Sequence, residues 1–284
     1  MSVGSSLKGA EPTTSGRLEP TSRSILALDA RRAITPQVST LPIAECFVSI
    51  QGEGVLAGVP SSFVRVAGCN LRCVWCDSPG TSWAPTFDRR TLADLAAFCR
   101  RGPRHVVLTG GEPLLHPALA SLSRDLVEQG HHVTIETAGT VWQDDLGCDL
   151  VSLSPKLGHS RPAPEARAPG GHERLAGVWA DRHERRRWNP AVVRGLMRFP
   201  WQLKLVVRAY DSAALELDLS EVERMMDELG IGTHDRERVL LMPECIDPAR
   251  LGEDYARLSP VCARTGFRLG PRLHITAFGH TPGT

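Results

Sequence analysis

The sequence predicts an α/β protein whose core is a largely parallel β-sheet. Short apolar runs recur along the chain from about residue 41, and stretches with helical spacing of apolar residues separate them. Several apolar runs are nearly continuous rather than alternating, as expected for strands buried on both faces. Repeated strand–helix units connect through right-handed crossovers, which is compatible with a full or partial β/α barrel or with an open doubly wound sheet.

The candidate strands are short runs rich in apolar and β-branched residues. The first of them leads into a glycine-rich turn, Gln51-Gly52-Glu53-Gly54. In chain order the candidate strands are 43–50, 62–67, 105–109, 132–136, 150–154, 202–207, 238–242 and 272–277.

The candidate helices lie between these runs, at 92–101, 117–128, 213–229 and 248–265. The clearest amphipathic pattern belongs to 213–229, whose apolar stripe carries Leu215, Leu219, Val222, Met226 and Leu229. Such a stripe predicts the face with which this helix packs on the sheet.

Two regions depart from this alternation of candidate strands and helices. Residues 1–38 are poor in apolar residues and lack a sustained period, so we expect a disordered extension to a domain of residues 39–284. Residues 157–200 are rich in Arg, Pro and Gly and contain the basic run 183–188, so we interpret them as an insertion. That run suits a nucleic-acid patch or a solvated helix face, and the second is favoured because the remaining chain offers no supporting basic surface.

The overall charge and hydropathy restrict the class of protein. The formal net charge of the 284 residues is +1, so no global field attracts a polyanion, and no direct nucleic-acid partner is expected. No apolar run is long enough to cross a bilayer, and the first residues lack the apolar stretch of a secretory signal. These features predict a cytoplasmic protein with no membrane partner.

Three of the eight cysteines, Cys69, Cys73 and Cys76, follow the pattern C-x3-C-x2-C, and the other five are interpreted as small buried hydrophobes. Structural zinc sites use four protein ligands, and the nearby sequence supplies no fourth. A 4Fe–4S cluster fits better, because one loop can ligate three irons and leave the fourth open. The loop follows candidate strand 62–67, so the cluster is expected at the carboxyl end of the sheet.

This cysteine pattern after the first barrel strand resembles the signature of the radical S-adenosylmethionine superfamily. The resemblance implies a partial (β/α) barrel in which the cluster binds S-adenosylmethionine and cleaves it to a 5′-deoxyadenosyl radical. The run Gly110-Gly111-Glu112-Pro113, by itself only a turn signal, resembles a cofactor-binding motif of that superfamily in this position. The cofactor-binding residues implied in this way are Trp75, Asp77, Gly110, Gly111, Glu112, Ser154, Pro155, Lys156, Met242 and Pro243.

Shorter motifs on either side of the cysteines resemble one family of that superfamily, the 7-carboxy-7-deazaguanine synthases. These motifs are 49–54, 60–65, 134–140 and 271–274, and the resemblance spans roughly residues 41–284 outside the insertion. It implies contraction of 6-carboxy-5,6,7,8-tetrahydropterin to 7-carboxy-7-deazaguanine with loss of ammonia, in queuosine-type 7-deazapurine biosynthesis. It further implies a requirement for Mg²⁺, a flavodoxin- or ferredoxin-type electron donor and a homodimer.

The resemblance also assigns substrate contacts. They are Ile50, Gln51, Gly52, Glu53, Arg65, Thr109, Glu136, His274 and, through the chain end, Thr284. Arg65 suits the substrate carboxylate because a guanidinium pairs with it in a bidentate manner, although a salt bridge at a strand end is an open alternative. His274 could equally be a structural histidine.

The sequence departs from the family at the predicted metal ligand. Ser78 follows Cys76-Asp77, where the family typically has threonine, and its hydroxyl retains the hard oxygen that Mg²⁺ prefers. Ala138 stands where asparagine is common, and the tail lacks a Trp before Gly279.

Two other functions compete with the synthase. A glycyl-radical activase would share the cysteine spacing and act on a protein partner, but the 51–54 turn and Arg65 suit a small anionic heterocycle better. A non-enzymatic zinc or nucleic-acid-binding protein is disfavoured by the near-neutral charge and the missing fourth ligand.

Overall fold

The carboxyl ends of a curved run of parallel strands converge at one edge of the fold. The computed structural model describes residues 39–163 and 176–284. The strands of this part are β1 (Thr40–Ile50), β2 (Pro60–Val66), β3 (Asp88–Thr91), β4 (His105–Gly110), β5 (His132–Thr137), β6 (Leu150–Leu153), β7 (Trp201–Val207), β8 (Val239–Pro243) and β9 (Arg268–Leu269). They form one sheet in the order β3-β1-β2-β4-β5-β6-β7-β8-β9.

Strands β2 and β4 to β9 pair in parallel, whereas β1 is antiparallel to both of its neighbours. The described helices are α1 (Pro79–Ser82), α2 (Leu92–Arg100), α3 (Ala118–Glu128), α4 (Ala176–Arg186), α5 (Pro190–Leu196), α6 (Ser212–Leu229), α7 (Pro248–Thr265) and α8 (Leu273–Phe278). The predicted α/β fold, a partial (β/α) barrel, is confirmed.

The long helices form where the sequence supplies both caps. The side chain of Asp211 accepts a hydrogen bond from Ala214 N at 2.8 Å at the start of α6, and Gly230 ends the helix at φ +72°. Helix α7 begins at Asp247 and ends at Gly266 in the same way, with φ +80°. Glycine adopts the left-handed conformation at little energetic cost. The capping residues themselves therefore determine where these two helices begin and end. Helix α6 then packs on β7, and α7 packs on the fully buried strand β8.

The prediction of a strand at 272–277 is wrong. Strand β9 ends at Leu269, and Leu273–Phe278 forms α8. The alternating pattern of this segment is compatible with a strand, but Leu273 N donates to Gly52 O at 2.8 Å and Thr276 N donates to Arg272 O at 3.1 Å. This segment therefore hydrogen-bonds to the 51–54 turn instead of pairing as a further strand at the edge of the sheet.

The segment 157–200 is only partly the solvated excursion that we expected. The exposed face of α4 carries Arg182, Arg185 and Arg186, but the side chain of His183 on the opposite face is fully buried. Helix α5 contributes Val193 and Leu196 to the main core. The described part of this segment therefore packs against the barrel between β6 and β7.

The predicted disordered extension, residues 1–38, lies outside the described residues. Within the described ranges, no helix combines the length and the apolar character needed to cross a lipid bilayer.

Candidate active site

A cavity of about 620 Å³ lies where the loops after β2, β4, β5 and β6 meet. The structure brings most of the predicted site residues to this cavity. They are Ile50, Gln51, Gly52, Glu53, Arg65, Cys69, Cys73, Trp75, Cys76, Asp77, Ser78, Thr109, Gly110, Gly111, Glu136, Ser154, Lys156, Met242, His274 and Thr284. Glu112, Pro155 and Pro243 do not line it and are buried behind it.

The three cysteines lie on the loop that follows β2. Burial raises the pKa of the Cys69 thiol to about 12 and also raises the pKa values of Cys73 and Cys76. Iron removes this penalty because it binds the thiolate and supplies positive charge. In the described ranges no three His, Cys, Asp or Glu side chains are grouped to hold a single metal ion. Three cysteines that share one cavity fit a cluster, in which each thiolate has its own iron.

The glycine pair after β4 supports the back of the cysteine loop. Gly110 has φ +143°, a conformation that side chains avoid, and a Cβ there would lie 2.6 Å from Val66 N. A Cβ on Gly111 would lie 2.8 Å from the Cβ of Cys69. The pair is therefore required for the β4 loop to pack against the cysteine loop.

Glu112, which we predicted to bind the cofactor, does not line the cavity. Its carboxylate is fully buried and accepts hydrogen bonds from Thr137 Oγ1 at 2.7 Å, Ala138 N at 2.9 Å and Leu114 N at 3.1 Å. Burial raises the pKa of this carboxyl group. Glu112 therefore ties the ends of β4 and β5 together behind the cavity wall.

The wall predicted to hold the cofactor is formed by Trp75, Ser154 and Lys156. Lys156 Nζ donates to Ser154 Oγ at 2.8 Å and lies 5.7 Å from the centroid of the Trp75 ring. The Trp75 indole donates to His159 Nδ1 at 3.0 Å, and His159 Nε2 lies 3.0 Å from Val206 O. These two contacts fix the His159 ring, and the ring in turn holds the indole in place.

The opposite wall carries a triad of two half-buried carboxylates and one buried ammonium group. Lys204 Nζ donates to Glu53 Oε2 at 2.9 Å and to Glu136 Oε1 at 3.2 Å. Thr109 Oγ1 donates to Glu136 Oε2 at 2.9 Å, and Gln51 Nε2 donates to Glu136 Oε1 at 3.3 Å. The triad Glu53–Lys204–Glu136 thus presents oriented carboxylate oxygens to the cavity.

Charge pairing keeps Glu53 and Lys204 of this triad ionised. Burial alone would raise the pKa of Glu53, but Lys204 and Arg272 hold it well below its usual range. Burial alone would lower the pKa of Lys204, but Glu136 and Glu53 raise it above its usual range. Buried charges are stable only when they are paired in this manner.

Arg272 joins the triad to the cysteine loop. Its Nη2 donates to Asp77 Oδ2 at 2.5 Å, and its Nε lies 3.3 Å from Glu53 Oε1. The Arg272 side chain is 5 % exposed. The C-terminal residues also contact Asp77, since His280 Nε2 lies 2.8 Å from Asp77 O. Arg272 therefore links the residue after Cys76 to the carboxylates of the opposite wall.

Arg65 lies at the cavity with its guanidinium partly engaged. Its Nε donates to Glu45 Oε2 at 2.9 Å, and its Nη1 donates to Ser78 Oγ at 3.3 Å. The salt bridge that we considered as an alternative is therefore present.

Gly52 is a close neighbour of His274, and an alanine there is expected to impair the site. An ideal Cβ at Gly52 would lie 2.5 Å from His274 Cγ and 2.7 Å from its Cβ. His274 must then move, at a cost of about 1–3 kcal/mol for overpacking. In Gly52→Ala we expect kcat/KM to fall by about 10- to 100-fold, the equivalent of that free energy.

The matched control is Gly252→Ala in the middle of α7, where a Cβ meets nothing within 4 Å. That variant should keep full activity and gain about 0.5–1 kcal/mol of stability. Equal kinetics for both variants would contradict a tight Gly52–His274 contact.

Lys204 and Arg272 are charged cavity residues that we did not predict as site residues. The signal for Lys204 is a single lysine between Leu203 and Leu205, in a strand whose apolar run predicts burial. A lysine at such a position needs buried partners. The strand pattern does not indicate which partners these are.

The fold and this cavity define the class of protein. A partial (β/α) barrel whose cavity holds three cysteines after the first parallel strand, beside a glycine pair, is typical of a radical S-adenosylmethionine enzyme. In agreement, the profile of the Radical SAM superfamily matches residues 63–172.

Comparison with whole proteins narrows the class to a family. The chain is 42% identical over 250 residues to the 7-carboxy-7-deazaguanine synthase of Halobacterium salinarum, covering 86% of this chain and 93% of the relative. It is 41% identical over 249 residues to that of Rhodopirellula baltica, covering 87% and 90%. The crystal structure of QueE from Escherichia coli superimposes with a TM-score of 0.55 at 26% identity, covering 83% of this chain and 95% of that one. The chain belongs to the 7-carboxy-7-deazaguanine synthase family.

Proposed function

We propose that this enzyme converts 6-carboxy-5,6,7,8-tetrahydropterin to 7-carboxy-7-deazaguanine with loss of ammonia, in queuosine-type 7-deazapurine biosynthesis. The single observation that carries the proposal is the shared cavity. The three cysteines line one side of it, and the triad Glu53–Lys204–Glu136 lines the other. A radical started at the cysteine side can therefore reach a heterocycle held by the triad.

The cysteine side provides the site of the cofactors. Cys69, Cys73 and Cys76 would hold the 4Fe–4S cluster, which when bound supplies the electron that cleaves S-adenosylmethionine and starts the radical chemistry. The indole of Trp75 and the polar pair Ser154–Lys156 offer a flat apolar surface and hydrogen-bond donors to the nucleoside and methionyl parts of the cofactor.

The triad side suits the ring of the substrate. The amino and amide N–H groups on one edge of a pterin are donors, and Lys204 holds the carboxylates of Glu53 and Glu136 in place as acceptors. Thr109 and Gln51 fix the second carboxylate from the side. Because these groups are already oriented, binding of the ring requires little reorganisation of the protein.

Arg65 is the proposed partner of the substrate carboxylate. It lines the cavity, and its terminal nitrogens extend beyond the Nε that Glu45 occupies. The substrate carboxylate would share the guanidinium with Glu45. A cation such as Mg²⁺ beside Ser78 would offset the resulting excess of negative charge.

Mg²⁺ is expected to bind beside Ser78, whose Oγ donates to Asp77 Oδ1 at 3.3 Å and accepts from Arg65 Nη1. Removing Mg²⁺ with a chelator should therefore lower the rate. In Ser78→Ala the Mg²⁺ concentration for half-maximal rate should rise by about tenfold or more, the usual effect of losing a contact around a metal. Ser78→Thr keeps the oxygen and should retain the parent Mg²⁺ dependence. An identical Mg²⁺ dependence in the alanine variant would exclude Ser78 as a ligand.

One experiment separates this function from its competitors. The protein is reconstituted anaerobically with iron and sulfide, reduced, and given S-adenosylmethionine, Mg²⁺ and carboxytetrahydropterin. We expect 7-carboxy-7-deazaguanine in the mass spectrum. Cofactor cleavage without that product would indicate a different radical enzyme, such as a glycyl-radical activase. A colourless zinc protein would indicate a structural role for the cysteines.

The family resemblance also supports three further proposals. The electron donor is a flavodoxin or ferredoxin, the enzyme is a homodimer, and it acts in the cytoplasm. All eight cysteines of the chain are free thiols in the structure, which suits a reducing compartment.

A further inference from the structure

The back of the cysteine loop, away from the cavity, is covered by helix α4. The side chain of Arg72 points to this side and is 8% exposed. Its Nη1 donates to Cys69 O at 2.8 Å and to Leu71 O at 2.7 Å. The guanidinium carbon lies 3.9 Å from the centroid of the Trp179 ring on α4. Arg72 is thus a cation enclosed between the cysteine loop and an aromatic ring.

A second set of contacts fixes the same loop through its backbone. Arg72 N donates to His183 Nδ1 at 3.1 Å, and His183 Nε2 lies 2.9 Å from Ser160 Oγ. Because Nδ1 accepts from an amide, the proton of His183 is on Nε2 and is donated to Ser160. The hydroxyl of Ser160 donates in turn to Leu157 O at 2.6 Å, and Val74 N donates to Ser160 O at 3.0 Å.

Together Arg72, Ser160, Trp179 and His183 form what we call the outer clamp. It engages the amides on both sides of Cys73 and two carbonyls that precede it, and it holds the guanidinium in one place. His183 is fully buried, and burial lowers its pKa to about 4, which keeps the ring neutral as this network requires.

The position of the cation has an electrostatic consequence. A 4Fe–4S cluster gains one negative charge when it accepts an electron, and its potential depends on nearby charge and on exposure to solvent. A guanidinium removed from water is screened weakly, so its charge acts on its surroundings more strongly than a surface charge does. Its two carbonyl acceptors belong to the loop itself, one of them to the ligand Cys69.

We propose that the outer clamp sets the reduction potential of the cluster, by holding Arg72 as a dehydrated cation behind the loop that carries the three thiolates. The inference rests on the proposed cluster. The electron comes from the same one-electron donor that the proposed function requires. Trp179 contributes by excluding water from the guanidinium, and His183 and Ser160 contribute by fixing the loop against α4.

The test is a redox titration of the reconstituted protein, followed by the electron paramagnetic resonance signal of the reduced cluster without substrate or S-adenosylmethionine. In Arg72→Gln we expect the midpoint potential to become more negative. Trp179→Leu should shift it in the same direction by a smaller amount, because water then screens the cation. Arg72→Lys keeps the charge and should stay closer to the parent value.

The matched control is Arg186→Gln, which removes a charge from the exposed face of α4. It should leave the potential unchanged. An unchanged potential in Arg72→Gln at full iron content, or an equal shift in the control, would overturn the proposal. If Arg72→Gln assembles no cluster, the midpoint potentials of Trp179→Leu and Arg186→Gln are compared instead. A more negative potential in Trp179→Leu alone would support the proposal, and equal potentials would overturn it. The measurement needs no turnover, so a protein that is inactive on the pterin but holds a cluster still gives a clear result.

Discussion

Replacing Lys204 by methionine is expected to reduce kcat/KM by at least about a hundredfold. The change leaves the half-buried carboxylates of Glu53 and Glu136 without the ammonium group that lies 2.9 Å and 3.2 Å from them. Breaking a buried ion pair from one side costs roughly 3–5 kcal/mol, and about 3 kcal/mol on the transition state corresponds to a hundredfold in rate. Steady-state kinetics measure the loss of activity, and the melting temperature of the same preparation measures the loss of stability.

Three further variants separate charge from packing at this position. Lys204→Arg keeps the charge and should retain more of both activity and stability. The double variant Lys204→Met with Glu53→Gln removes one of the two unpaired carboxylate charges. It should be more stable than Lys204→Met but no more active. Arg224→Met removes an exposed charge on α6 and should change neither quantity. Parent kinetics and an unchanged melting temperature in Lys204→Met would show that the triad is not part of the site.

Replacing Cys73 by alanine is expected to abolish the cluster and, with it, cleavage of S-adenosylmethionine. Cys73 is 7% exposed and lies in the middle of the cysteine loop, where Trp83 Nε1 donates to its carbonyl at 3.2 Å. A cubane without one of its three protein ligands has an iron with no thiolate to hold it. Iron and sulfide content, the visible absorption spectrum and the release of 5′-deoxyadenosine measure the effect.

Cys99 is the matched control for this variant because it is a fully buried cysteine in the main core, outside the cavity. Cys99→Ala should lose some stability through the small cavity that it creates and keep its cluster. Full activity in Cys73→Ala would refute the assignment of the cluster to this loop.

Local patterns in the sequence predicted the frame of the fold and the cysteine side of the site. The strands β2, β4, β5, β7 and β8 follow from short apolar runs, and α6 follows from its amphipathic stripe. The spacing of Cys69, Cys73 and Cys76 is likewise local. In each case the determining interactions lie within one element or one loop.

The features that were missed depend on contacts between distant residues. His183 meets the amide of Arg72 across 111 positions, and Lys204 meets Glu53 across 151. Neither contact produces a periodic pattern of residues that could be recognised in the sequence. The error at 272–277 has the same origin, because the bond from Leu273 to the 51–54 turn selects a helix where the local pattern allows a strand.

The most direct test of the proposed synthase is the ratio of 7-carboxy-7-deazaguanine formed to S-adenosylmethionine consumed, measured anaerobically with Mg²⁺, reductant and excess carboxytetrahydropterin. A radical that is returned to the cofactor after each ring contraction regenerates S-adenosylmethionine, so we expect many equivalents of product for each equivalent consumed. Consumption of S-adenosylmethionine with no deazaguanine product would contradict the assignment of this cavity to ring contraction.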